Sequence, residues 1–168
     1  DPEIGNFKRV NLPHNEIFKS LSIGSKILMD DGKLQFKVKD ISKDEITTEV
    51  VVGGVIKSNK GVNLPDVVIN TSPLTSKDFE DLKFILNQEI DWIALSFVQK
   101  LKDVEEVKKY IRDKAGVIAK IEKPSALKEL NEIIKACDGI MVARGDLGVE
   151  LAPEEVPGIQ KEIILKCR

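Results

Sequence analysis

The sequence has 168 residues, of which 42% are hydrophobic and 32% are charged, a composition that excludes a disordered or collagen-like chain. Its formal net charge is −2, so no excess of positive charge favours nucleic acid as a partner. The longest apolar runs are a few residues long, far short of the ~20 that a membrane-spanning helix needs, so we expect no membrane partner.

The residues up to about Gly61 follow a β pattern. Strands are predicted at residues 27–29, 33–39 and 46–52. The middle strand alternates polar and apolar side chains, which places Leu34, Phe36 and Val38 on one face. The segment Asp30-Asp31-Gly32 predicts a hairpin, because Gly tolerates the positive φ of such turns. Short strands, tight turns and no helical pattern indicate a small antiparallel sheet or open barrel.

From about Leu64 onward, strand and helix patterns alternate every ~25 residues, the length of a βα unit. Strands are predicted at residues 92–98, 117–121 and 140–142, and the first of them is nearly all apolar. Such a strand is typical of a parallel sheet that is covered on both faces. The apolar faces of the predicted helices are Phe79, Leu82, Ile85 and Leu86; Leu101, Val104, Val107 and Ile111; Leu127, Leu130, Ile133 and Ile134; and Ile159, Ile163, Ile164 and Cys167. Thr75-Ser76 is expected to cap the first of these helices.

Polar side chains lie at or just past the carboxyl end of each predicted parallel strand, where the reactive residues of α/β folds collect. They are Ser96, then Lys120 and Glu122, then Arg144-Gly145-Asp146. Lys120 and Glu122 are two positions apart on an extended segment, so they should point to the same side of the sheet. Asp146 follows the neighbouring strand and should lie beside Glu122.

These carboxylates suggest a site for a metal ion. Two carboxylates without His or Cys suit a hard divalent cation, Mg²⁺ or Mn²⁺. From composition alone, a structural role in helix capping or surface solvation is as well supported as metal binding. Both carboxylates follow buried strands, however, which favours the metal. A lysine beside the ion suits phosphoryl transfer. Gly145 and Gly148 predict a flexible segment whose amides receive an anion.

Several other polar residues have plainer interpretations. His14 is expected at the surface, and the lysine-rich residues 57–60 in a solvated turn. Cys137 and Cys167 lie on apolar faces of helical patterns without metal-ligand spacing or a signal peptide, so we expect reduced core cysteines in a cytoplasmic protein. Because the chain lacks an initiator Met and stops within an amphipathic run, we expect it to be a piece of a longer chain.

Five motifs occur together along the chain. They are MDDG at 29–32, KGVNLP at 60–65, DWIALSF at 91–97, IAKIEK at 118–123 and DGIMVARGDLG at 138–148. With these residues in this order, the chain resembles the pyruvate kinase family. The resemblance implies an α/β fold in which residues 1–61 form most of a β-barrel lid and residues 62–168 form three parallel βα units of a partial TIM barrel. It also implies a hinge at Gly61, Asn63 and Pro65.

The resemblance also implies roles for the residues at the strand ends. Lys120 would stabilise the transferring phosphoryl group, while Glu122 and Asp146 would hold Mg²⁺ or Mn²⁺. The backbone amides of Gly145 and Asp146 would receive the substrate carboxylate.

The implied reaction is phosphoryl transfer from phosphoenolpyruvate to ADP, which yields pyruvate and ATP as the last step of glycolysis. Ser96 and Phe97 would line the site near a K⁺ ion, most of whose ligands lie outside this chain. A cytoplasmic homotetramer is implied for the full-length enzyme.

The chain departs from the family pattern at two positions, Lys123, where many members carry Asn, and Asp66, which replaces a common Gly. Two alternatives remain open. Another Mg²⁺-dependent barrel enzyme acting on pyruvate or enolpyruvate would lack the β half before Gly61. A non-catalytic fragment would serve as a binding or structural unit and would fail to bind Mg²⁺ and phosphoenolpyruvate. We expect activity from the full-length enzyme and none from the isolated chain.

Overall fold

The computed structural model describes residues 5–12, 15–43, 45–65, 67, 72 and 74–168. His14 and Asp66, for which the sequence made predictions, lie outside these residues. The chain divides into two compact units, Asp1–Thr71 and Ser72–Arg168, and each has its own hydrophobic core. Among the described residues, no helix is long and apolar enough to cross a membrane.

The first unit is built around an antiparallel sheet. Its described elements are α1 (Asn15–Ser20), β1 (Lys26–Met29), β2 (Leu34–Ile41), β3 (Ile46–Val52) and β4 (Val62–Asn63). The strand order is β3-β2-β1-β4, and each neighbouring pair is antiparallel. The three predicted strands are therefore confirmed. The predicted absence of a helix is wrong, because α1 is too short to show a helical period and is fixed by burial of Ile17 against the sheet core.

The β1–β2 hairpin forms where the sequence predicts it. Asp30, Asp31 and Gly32 all take positive φ, at 50°, 57° and 79°, and Met29 pairs with Leu34 across the turn. Asp tolerates this left-handed region better than most residues because its short polar side chain can bond locally. Along β2, Leu34 and Val38 are buried, which confirms the predicted apolar face.

The short strand β4 attaches residues beyond the predicted domain boundary to the β unit. Val62 pairs with Met29 and Asn63 with Leu28, and Leu64 is fully buried in the same core. The compact unit accordingly extends to residue 71. The predicted domain boundary between residues 61 and 62 concerns the lid and barrel of a longer enzyme. The compact units of this chain do not test it, so it stays a prediction.

The second unit is an α/β structure with a parallel sheet. Its elements are α2 (Ser76–Ile85), β5 (Trp92–Leu95), α3 (Leu101–Ile111), β6 (Gly116–Ile121), a 3-10 helix (Pro124–Glu129), α4 (Leu130–Ala136), β7 (Gly139–Val142), α5 (Arg144–Glu150) and α6 (Val156–Cys167). The strand order is β5-β6-β7, and both pairs are parallel. Every predicted strand and helix of this half is present, so the mixed α/β fold class is confirmed.

The sheet of this unit is covered on one face among the described residues. On β5, Leu95 is buried and Ile93 packs against the core, whereas Trp92 is 56% exposed and Ala94 is exposed as well. The prediction that the strand at residues 92–98 is covered on both faces is therefore wrong for β5. The strand also ends at Leu95, before the predicted Val98, because the backbone of Phe97 turns to a positive φ of 55°.

The two cysteines differ in burial. Both are free thiols; Cys137 is half-buried at the end of α4, and Cys167 is exposed in the last turn of α6. The prediction of a core position is wrong for Cys167, because the packed part of α6 ends near Ile163. The predicted solvated turn at residues 57–60 is confirmed, since all four residues are exposed.

Candidate active site

Lys120 and Glu122 lie together at the carboxyl end of β6. Along this strand Val117, Ala119 and Ile121 are fully buried in the core, which turns Lys120 to the opposite side. The Lys120 Nζ lies 2.5 Å from Glu122 Oε1, and the Glu122 side chain is 2% exposed. The predicted common orientation of the two residues is thus confirmed.

The end of β5 contributes two further contacts to this pair. The Lys120 ammonium donates a hydrogen bond to Ser96 Oγ at 2.9 Å, and the Phe97 backbone N–H donates to Glu122 Oε2 at 2.9 Å. Both Glu122 oxygens therefore have a partner. Phe97 holds a left-handed backbone conformation that is unusual for a bulky residue, and its contact with Glu122 supports that conformation.

The segment that carries Gly145 and Asp146 is a helix, not a flexible loop. Helix α5 starts at Arg144, and Leu147 donates a backbone hydrogen bond to Ala143 and is fully buried. The prediction of flexibility is wrong because burial of Leu147 fixes the helix in spite of its glycines. The amides of Gly145 and Asp146 lie in the first turn, where a helix supplies no internal acceptor.

Strands β6 and β7 end side by side, which brings α5 to the end of β6. Lys120 pairs with Met141 and Ile121 with Val142, and the Ala143 N–H donates to the Ile121 carbonyl at 3.2 Å. Asp146 is exposed and makes no ion pair or side-chain hydrogen bond with the described part of the chain. Its position beside Glu122 stays a prediction.

The donor set fits a Mg²⁺ or Mn²⁺ ion. Glu122 is a buried carboxylate and Asp146 is an exposed one, and an ionised carboxylate has lone pairs for a ligand beyond one hydrogen bond per oxygen. Within the described residues, no three His, Cys, Asp or Glu side chains are grouped to hold a metal. Two carboxylates suffice for Mg²⁺, which keeps several waters and is commonly held by one or two of them.

A buried ion pair beside the site was missed by sequence reasoning. The Lys123 Nζ lies 2.7 Å from Glu150 Oε1, and the side chains are 10% and 1% exposed. The helical period of α5 could have shown that Glu150 is buried, because Glu150 lies three positions after the buried Leu147 and shares its face. A carboxylate on a buried helix face is costly unless it is paired or hydrogen-bonded, and Lys123 supplies the pairing here.

The predicted hinge residues lie at the edge of the β unit. The Gly61 carbonyl accepts a hydrogen bond from the Asp30 N–H at 3.1 Å, and Lys60 Nζ lies 2.8 Å from Asp30 Oδ1. Hydrogen bonding to Lys60 holds the pKa of Asp30 below its usual value. Asn63 lies in β4 and Pro65 is half-buried just after it. Movement about these residues stays a prediction.

Comparison with known proteins identifies the family. Residues 3–168 match the family model described as "Pyruvate kinase, barrel domain". The chain is 52% identical over 159 residues to a pyruvate kinase of Agrobacterium vitis, covering 95% of the chain and 34% of that protein. It is 53% identical over 168 residues to a pyruvate kinase of Methylorubrum extorquens, covering 100% of the chain and 35% of that protein. The chain thus spans about a third of the length of the curated relatives it matches, and it belongs to the pyruvate kinase family.

Proposed function

We propose that this chain is a segment of an enzyme that transfers the phosphoryl group of phosphoenolpyruvate to ADP, giving pyruvate and ATP. The observation that carries the proposal is the contact network at the ends of β5 and β6. It joins Lys120, Glu122 and Ser96 with the backbone of Phe97. All of these residues lie in the part of the chain that matches the family model. A fixed ammonium beside a buried carboxylate, at the strand ends of an α/β sheet, suits phosphoryl transfer because that reaction depends on positioning and charge neutralisation.

The side chains have distinct roles in this proposal. The Lys120 ammonium neutralises charge on the transferring phosphoryl oxygens, and its bonds to Glu122 and Ser96 hold it in place beforehand. Glu122 and Asp146 hold a Mg²⁺ or Mn²⁺ ion, which supplies electrostatic stabilisation of the substrate oxygens when bound. The first-turn amides of Gly145 and Asp146 bind the substrate carboxylate. Ser96 and Phe97 line the site near a K⁺ ion.

The proposal also covers the architecture of the full-length enzyme. The three parallel strands with their helices are the middle of a (β/α)8 barrel, and the antiparallel sheet is most of a lid that moves about Gly61, Asn63 and Pro65. Among the described residues, the parallel sheet has one open face and two edges without a further strand, which supports this because a barrel continues through further strands. The full-length enzyme is proposed to be a cytoplasmic homotetramer.

The test of this function is Mn²⁺ binding and turnover in the full-length enzyme. Glu122→Gln should weaken Mn²⁺ binding at least ~10-fold, because even residues outside the ligand shell commonly contribute that much. The matched control is Glu132→Gln, which alters an exposed carboxylate on α4. Unchanged Mn²⁺ affinity in Glu122→Gln, or no ATP formation by the wild-type enzyme, would refute the proposal.

A further inference from the structure

We propose that the Lys123–Glu150 ion pair is a positioning element that fixes helix α5, and with it Asp146, against the end of β6. The inference rests on the proposed function, because it concerns the geometry of the metal and substrate site. Neither residue is assigned contact with substrate. The pair acts through the segments on which the site residues lie.

The pair is more buried than the surface ion pairs in the described part of the chain, and only Lys120–Glu122 comes near it, with side chains that are 25% and 2% exposed. The Nζ–Oε1 distance of the Lys123–Glu150 pair is 2.7 Å, and the Glu150 side chain is 1% exposed. The ion pairs Lys39–Glu49 and Lys108–Asp138, by comparison, have both side chains at least 37% exposed. A buried pair with so little solvent access is weakly screened, so it imposes one geometry on the two segments that carry it.

The position of the pair connects the two proposed metal carboxylates. Lys123 directly follows Glu122 at the end of β6. Glu150 lies four positions after Asp146 on α5, so the two share one side of the helix, a single turn apart. A short chain of covalent and ionic links therefore runs from Glu122 through Lys123 and Glu150 to Asp146.

Helix α5 has few buried side chains. Leu147 and Glu150 are its two buried residues. A Cβ on Gly145 would meet nothing within 4 Å, and one on Gly148 would make only an ordinary contact with Val156 at 3.9 Å. One apolar side chain buries the helix without fixing its rotation, because apolar contacts are not directional. The ion pair supplies the directional contact.

Positioning explains the pair better than stability does. Replacing a buried ion pair with apolar residues of similar size is often neutral or stabilising, so such a pair is weak evidence for stability. Retaining it next to the site residues fits a need for one defined arrangement of α5. The double substitution Lys123→Met/Glu150→Leu separates the two roles, since it restores packing without the directional contact.

The experiment compares full-length wild-type enzyme, Glu150→Gln and Lys123→Met/Glu150→Leu. Mn²⁺ affinity, kcat, the KM for phosphoenolpyruvate and the apparent Tm are measured for each. We expect the double variant to keep a near wild-type Tm while its Mn²⁺ affinity falls about 10- to 100-fold, the range seen when support of a metal ligand is removed. In Glu150→Gln the Mn²⁺ affinity should fall by the same factor. The Tm of this variant should fall too, because Lys123 stays buried without its partner charge. The matched control is Glu162→Gln, which breaks the exposed pair with Lys166.

Each outcome separates this inference from the proposed function. If the wild-type enzyme makes no ATP, or Glu122→Gln binds Mn²⁺ normally, the proposed function fails and the inference fails with it. If those two results are as expected but the double variant binds Mn²⁺ like the wild type, the pair is structural only and the inference alone is overturned. Should Glu150→Gln fail to fold, the double variant still decides the question.

Discussion

Lys120 carries a fixed charge because two oxygens hold its ammonium group. Glu122 Oε1 lies 2.5 Å from Nζ, and Ser96 Oγ accepts a hydrogen bond from it at 2.9 Å. In the proposed function, this fixed ammonium neutralises phosphoryl oxygens and does not protonate the enolate carbon.

Lys120→Met in the full-length enzyme should therefore lower phosphoryl transfer by at least ~10²–10³, the usual effect of losing one preorganised electrostatic contact. Metal-dependent exchange of pyruvate methyl protons with solvent should stay largely intact, which NMR in D₂O measures. Lys128→Met, at an exposed position on the 3-10 helix, is the control. A parallel fall in proton exchange, with pyruvate still bound, would make Lys120 the proton donor.

The two thiols should differ in reactivity in the 168-residue chain. Burial raises the pKa of the Cys137 thiol, whereas Cys167 is exposed. A raised pKa reduces the thiolate fraction at pH 8, and the thiolate is the reactive form. Iodoacetamide should alkylate Cys167 first, as followed by mass spectrometry of peptides. Equal rates in the folded chain would contradict this, and equal rates are expected only after denaturation.

Helix α2 begins with a capping box that the sequence partly predicts. The Thr75 hydroxyl accepts from the Asp78 N–H, and the Thr75 N–H donates to Asp78 Oδ2 at 2.8 Å. Hydrogen bonds from the Thr75 hydroxyl, and then from its backbone, hold the pKa of Asp78 below its usual 3.8. The contribution of these bonds to stability is thus fully present above pH 3.8 and is lost as the pH falls through the lowered pKa.

Thr75→Ala should destabilise the folded protein by about 1 kcal/mol at pH 7, the typical cost of removing an N-cap side chain. The difference in apparent Tm from wild type should shrink as the pH falls below the pKa of Asp78. Thermal unfolding followed by circular dichroism measures both effects. Ser76→Ala, one position into the helix, should have little effect, and an equal loss in that variant would contradict the capping role of Thr75.

The segment around Gly61 is the second element with a testable role. Its carbonyl bonds to the Asp30 N–H, and Lys60 pairs with Asp30, so it is tied to the β1–β2 hairpin. Gly61→Pro removes backbone freedom at the proposed hinge while that carbonyl is kept. We expect slower turnover of the full-length enzyme with little change in circular dichroism. Full activity together with unaltered nucleotide affinity would count against a hinge at this residue.

At the scale of the whole chain, no other strand among the described residues pairs with the outer edges of β5 and β7. Trp92 on β5 is 56% exposed and Met141 on β7 is 44% exposed. Exposed strand edges and apolar side chains promote association between copies. The purified 168-residue chain should therefore self-associate in sedimentation experiments. It should show no kinase turnover, because it spans only about a third of the length of its relatives.

Two results would contradict these expectations separately. Sustained ATP formation by the purified chain would refute the absence of turnover. A monomer at high concentration would refute association through the sheet edges, without bearing on activity. Full-length enzyme in the same assays provides the reference for both.

The sequence by itself determined the features that depend on neighbouring residues. Alternation at Leu34 and Val38 fixed the face of β2, and the spacing of Lys120 and Glu122 placed them on one side of β6. Local capping by Thr75 was also readable. These features are predictable because backbone periodicity and short-range hydrogen bonds act within a few residues.

The tertiary structure alone decided features that need a distant partner. The Lys123–Glu150 pair joins residues far apart in sequence, and the backbone of Phe97 is held by Glu122 from the next strand. Burial of Leu147 made α5 a helix in spite of its glycines. Such features depend on which elements pack together and on what each element covers, and no local pattern contains that information.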